Sequence, residues 1–179
     1  GPGQAPDRAF LDEIADYAGE NRLYLEWDGG EHLPFDPVTG KPRDTRAANR
    51  TAAGLAHGLG LSVIRSRSRA SARRDRRTVS TDELLRMTAA GLADQREMFR
   101  ELGVTLALET GFEFTTFELL RLFDMCDAEP GNFLGSSLDT MNLVVALEEP
   151  VAATRRVLPW VVMTRIKDAA LRISEEGFL

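Results

Sequence analysis

The residues that could do chemistry in this sequence collect where short runs of apolar or small residues end. Glu26 and Asp28 close the run that starts at Leu23, and Arg65 follows Leu61 to Ile64. Glu109 follows Val104 to Leu108, Asp139 follows Phe133 to Leu138, and Arg165, Lys167 and Asp168 follow Trp160 to Thr164. A polar residue at any single strand end is ordinary, because that is where a chain leaves its core. The joint pattern says more: Glu109 and Asp139 have no flanking charge to share the cost of desolvation. Two such carboxylates facing one cavity repel unless a proton or a cation lies between them, which points to a metal site.

The elements that must carry these residues follow from periodicity and caps. Asp7 is placed to cap a helix with Phe10, Leu11, Ile14, Tyr17 and Ala18 on one face. A strand is expected at 23–28, then a long loop at 29–44 rich in Pro and Gly, then a helix from Asp44 to Leu59 stopped by Gly60. Residues 61–66 read as the second strand. Ser80 and Glu83 have capping-box spacing and open one helix running to Gly103. Strands at 104–109, 133–139 and 160–167 alternate with a helix capped by Thr115 or Thr116 and another opened by Pro150. Regular β/α alternation predicts parallel strands with helical crossovers. Five strands that all end in charge favour a barrel, in which every strand opens into one shared site, over a doubly wound sheet.

The chain has 179 residues, enough for one core but short of the roughly 200 that a closed (β/α)₈ barrel needs. The expectation is therefore a single α/β domain over 1–179, an incomplete (β/α)₈ TIM barrel of five to six units, with strands missing or supplied by association. Gly1-Pro2-Gly3 has the look of a protease-cleavage remnant. A net charge of −6 argues against a general nucleic-acid binder. Cys126 is the sole cysteine, which excludes an internal disulfide and suits a cytoplasmic location. No apolar run has the length of a membrane span, and no membrane partner is expected.

Five motifs in order then resemble one family: Gly103-Val104-Thr105-Leu106-Ala107-Leu108-Glu109, Thr116-Phe117-Glu118-Leu119-Leu120, Leu138-Asp139-Thr140-Met141-Asn142, Glu149-Pro150 and Arg165-Ile166-Lys167-Asp168. Together they resemble the sugar phosphate isomerase/epimerase family of xylose isomerase-like TIM barrels. The resemblance implies that Glu109 binds a divalent metal and acts as acid/base, that Asp139 is a second ligand, and that Asn142 lines the substrate pocket. Mn²⁺, Mg²⁺ or Zn²⁺ would polarise a carbonyl and stabilise the enediolate formed by proton abstraction. The substrate it implies is a small sugar-like hydroxy-carbonyl compound, with Asn142 at its pocket; Arg65, directly at a strand end, and Lys167 and Arg165 are further candidate contacts.

Two departures from the family pattern stand out. Arg165 occupies the place of a ligand histidine, and Gly111 the place of the histidine in a Glu-x-His sequence. A guanidinium cannot ligate a metal, so metal is expected to be weak or lost, with Arg165 paired to Glu109 or Asp139. The family's last catalytic glutamate belongs to an eighth strand beyond this chain. The alternative reading is accordingly a metal-free member that binds a ligand, serves as a partner subunit or does different chemistry, a homo-oligomer also being open. His32 in the long loop and His57 on a helix face read as solvated. The arginine-rich stretch 65–79, with seven arginines between Arg65 and Arg77, reads as a solvated loop or as a site for a substrate phosphate or an acidic partner.

Overall fold

A computed structural model describes residues 6–36, 38–67, 79–111 and 113–168, with the backbone of 173–174 and 177–178. Five strands, β1 (Trp27–Gly30), β2 (Val63–Ser66), β3 (Thr105–Glu109), β4 (Leu134–Asp139) and β5 (Val161–Arg165), form one sheet in the order β1-β2-β3-β4-β5. All four pairings are parallel. Each crossover steps one strand along in the same direction, so the strand order never reverses as it does in a doubly wound sheet. This is barrel winding, as the β/α alternation predicts.

Register separates the two faces. Ile64 pairs with Leu106 and Leu106 with Leu134, and these join Leu108 and Leu138 in the core. That face packs on α2 (Thr45–Gly58), α3 (Thr81–Ala93), α4 (Arg96–Leu102), α5 (Thr116–Met125) and α7 (Pro150–Val157) through Ala53, Leu84, Leu92, Phe99, Phe123 and Val157, all fully buried. Each such leucine or phenylalanine contributes about 1.5–3 kcal/mol by leaving water. Arg65, Glu109, Ser137, Asp139 and Arg165 alternate with the core residues and share the opposite, lumen-side face. The sheet curls far enough for Glu26, just before β1, to lie 3.7 Å from Arg165 on β5. Tyr24, Glu26 and Val161 to Thr164 line a cavity of about 490 Å³ between those edges.

Several elements differ from the sequence reading. The first strand begins at Trp27 rather than Leu23, because Leu23 N–H donates to Ala18 O and closes α1 (Arg8–Glu20); Leu23 and Tyr24 are exposed. The helix expected over 80–103 is two helices. Gln95, 2% exposed, turns inward at the break to bond Gly91 O, Thr45 Oγ1 and Asn49. A further helix, α6 (Thr140–Val145), starts directly at the end of β4, where Asp139 Oδ1 accepts from Met141 and Asn142 N–H. The expected caps Asp7, Asp44, Ser80 and Thr115 all form, Thr115 with a reciprocal box to Glu118. Gly60 and Gly103 take the left-handed conformation that stops each helix. Near the C-terminus, β6 (Ile173–Ser174) and β7 (Gly177–Phe178) pair antiparallel, where only a polar tail was expected. Arg69, Arg73, Arg74, Arg76 and Arg77 lie outside the described residues.

Candidate functional site

All five strands present their C-terminal ends on one side, and the charged residues of the sequence motifs meet there. Asp139 is fully buried at the end of β4. Its Oδ1 is committed to the α6 cap, while its Oδ2 faces the Lys167 ammonium at 2.5 Å. Arg65 reaches across from β2. One guanidinium nitrogen donates to Asp28 Oδ2 at 2.8 Å, and the other lies 3.8 Å from Glu109 Oε1. Arg67 meets the same Asp28 oxygen at 3.1 Å.

The Glu109 carboxyl is held above its usual range. Burial is the main cause, and the hydrogen bond and negative charge of Asp139 add to it, while Arg65 and Arg165 pull the other way. A carboxylate made more basic in this way suits proton abstraction near neutral pH. Ser137, paired with Glu109 across the strands, is fully buried, and its hydroxyl has no hydrogen-bond partner among the described residues.

Two threonines set this geometry. Thr110, directly after Glu109, accepts from Asp139 N–H and donates to Asp139 O. Thr140, directly after Asp139, does the same to the backbone of Lys167, at 2.9 and 3.0 Å. Each strand-end acid is thus followed by a hydroxyl that staples the next strand's functional residue in place. The signal in the sequence is the repeated acid-threonine pair, Glu109-Thr110 and Asp139-Thr140. Asn142, expected to line the pocket, donates its amide to Thr110 O at 2.8 Å and so steadies the end of β3.

Two expectations are corrected. Arg165 shares the Asp139 face but is partly exposed; it is ion-paired with Glu26 at 3.7 Å, while its charge still acts on Glu109. His32 is no solvated loop residue: it is 3% exposed, with Nδ1 at 2.7 Å from Ser66 Oγ and Nε2 at 3.0 Å from Glu113 Oε1. Gly111 makes room for that glutamate, since a Cβ there would stand 2.7 Å from Glu113 Oε2. His57 is exposed, as read. Cys126 is buried and its thiol is pushed up to about 11 by burial, which leaves it no nucleophile.

Glu109 and Asp139 are the oxygen donors that the resemblance assigns to a divalent ion. Their surroundings do not fit one. Among the described residues no cluster of three or more His, Cys, Asp or Glu gathers, and the carboxylates face Lys167 and Arg65 instead. A cavity of about 520 Å³ lies at the other end of the sheet, lined by Val63, Thr105, Gly131 and Val162 and holding none of these groups.

Parallel strands wound in one direction, with their polar ends at one mouth, define part of an α/β barrel. Solved structures of sugar epimerases share that fold. A D-psicose 3-epimerase solved in the presence of D-fructose superposes with a TM-score of 0.72 at 17% identity, over 96% of this chain and 62% of that one. The D-psicose 3-epimerase from Clostridium cellulolyticum H10, solved with D-tagatose, gives 0.71 at 15%, over 89% and 57%. The 3-keto-D-glucoside 4-epimerase from E. coli gives 0.70 at 12%, over 90% and 65%. The chain thus spans about three fifths of the length of these epimerases. No protein-family model and no curated protein sequence matches it. No helix among the described residues is long and apolar enough to cross a membrane.

Proposed function

We propose that the chain binds a sugar-like hydroxy-carbonyl compound at the mouth of the five strands, and that Glu109 moves a proton at the carbon next to the carbonyl. The observation that carries this reading is the pairing of a partly desolvated Glu109 with the buried Asp139, beside Arg65 and Lys167, at the polar ends of parallel strands. Strand C-terminal ends are where barrel enzymes place their chemistry. Solved structures alike in fold are named as epimerases of ketoses or keto-sugars, which supports the substrate class. Arg65 and Lys167 would hold substrate oxygens and Ser137 would offer a further hydroxyl. Asn142 would act through Thr110, and Arg165 would line the rim with Glu26.

The test is exchange of carbon-bound hydrogen for deuterium in D-fructose or D-tagatose, followed by proton NMR in D₂O. The wild-type chain should exchange one position, and Glu109→Gln should not. Equal exchange by both proteins would remove Glu109 from its role. A second reading, ligand binding without turnover, is favoured by the commitment of Asp139 to its cap and to Lys167. It predicts ketose-induced chemical-shift changes at the mouth with no deuterium uptake.

A further inference from the structure

Lys167 is placed as firmly as a strand residue although it lies beyond β5. Its N–H donates to Thr140 Oγ1, and that same hydroxyl donates to its carbonyl. Thr140 is the residue next to Asp139, so one short segment fixes both members of the ion pair. The Lys167 stem leaves its backbone at the rim, and the ammonium reaches inward to a fully buried carboxylate. The other group beside the Asp139 carboxylate is the Glu109 carboxyl, of like charge. A fully buried anionic group next to a second acid is costly, and the ammonium offsets part of that cost.

We propose that Lys167 is the built-in cation of this site. Its ammonium takes, against Asp139, the place that a divalent ion takes between two carboxylates, and its remaining N–H groups meet the oxygen of a bound carbonyl compound. The ligand part rests on the function proposed above. When Glu109 takes the proton from the neighbouring carbon, the C–H bond breaks and an O–H forms. The electron pair becomes the C=C bond, and the carbonyl oxygen gains a negative charge that the ammonium meets. The reverse transfer restores the carbonyl, so no oxidant, reductant or metal enters the balance. Arg165 does not have this part, since its guanidinium is turned to Glu26.

Mn²⁺ alone, read by water-proton relaxation, tests the cation without any sugar. The 179-residue chain is expected to hold Mn²⁺ no tighter than about millimolar. Lys167→Met should tighten binding at least about tenfold by freeing Asp139 Oδ2 and removing a positive charge, whereas Arg165→His should stay within about twofold. Asp139→Asn added to Lys167→Met should erase the gain. Micromolar binding by the wild type overturns the proposal with no variant needed. So does a folded Lys167→Met chain that binds no better, or an Arg165→His chain that gains as much. Deuterium exchange into ketoses is a separate readout, so failure of the proposed reaction and failure of the cation assignment can be told apart.

Discussion

Replacing Asp139 by Asn and by Ala separates its two roles. Its Oδ1 caps α6 through two backbone N–H groups at 3.1 and 3.3 Å, and its Oδ2 faces Lys167. Asn caps a helix about as well as Asp, while Ala forfeits about 0.5–2 kcal/mol. The Lys167 side chain is 45% exposed, so its pairing is screened by water and is worth no more than about 1 kcal/mol. Asp139→Asn also removes the like charge beside Glu109, which offsets part of that loss. The expected order at pH 7 is therefore wild type, then Asn within about 1 kcal/mol, then Ala lower by about a further 1 kcal/mol. Urea unfolding followed by circular dichroism measures each difference from the midpoint at constant slope. Equal losses for Asn and Ala would refute the capping role. A loss for Asn well beyond Ala's cap term would mean that the ion pair, not the helix, is what Asp139 supports.

Three further outcomes follow from the same geometry. The native state holds the Glu109 proton more tightly than the unfolded chain does, so its contribution to stability is present below the ordinary value of 4.5 and is lost as pH rises above it. The stability of Glu109→Gln relative to wild type should thus climb between pH 4 and pH 7, and a flat difference in urea midpoints would contradict the raised value. His32→Ala strips the buried partner from Ser66 and Glu113, and thermal or urea unfolding should show a loss of about 3 kcal/mol; a solvated histidine would show almost none. Gly135→Ala puts a Cβ 2.6 Å from Val162 Cγ2 and 3.1 Å from Trp160 O, so about 1–3 kcal/mol should be lost to overpacking between β4 and β5, measurable by the same unfolding curve.

Local rules in the sequence were enough for the fold class. Caps at Asp7, Asp44, Ser80 and Thr115, left-handed stops at Gly60 and Gly103, and apolar runs ending in Glu109 and Asp139 are encoded within a few residues of one another, which is why the last four strands and the parallel pairing could be read directly, while the first strand lies several residues later than expected. The break at Gln95 could not be, because its cause is Thr45 and Asn49, some fifty residues away, drawing a buried amide out of an otherwise continuous helical pattern. Nor could the fate of His32, whose partners Ser66 and Glu113 come from two other strand ends and turn a loop histidine into a buried one. The choice of cation was also tertiary. By the family resemblance Arg165 stood in the ligand position, but the curl of the sheet brings Glu26 to it, while the Thr140 hydroxyl carries Lys167 to Asp139 instead. Residue type sets what a charge can do, and only the curl of the sheet determines which opposite charge lies within reach.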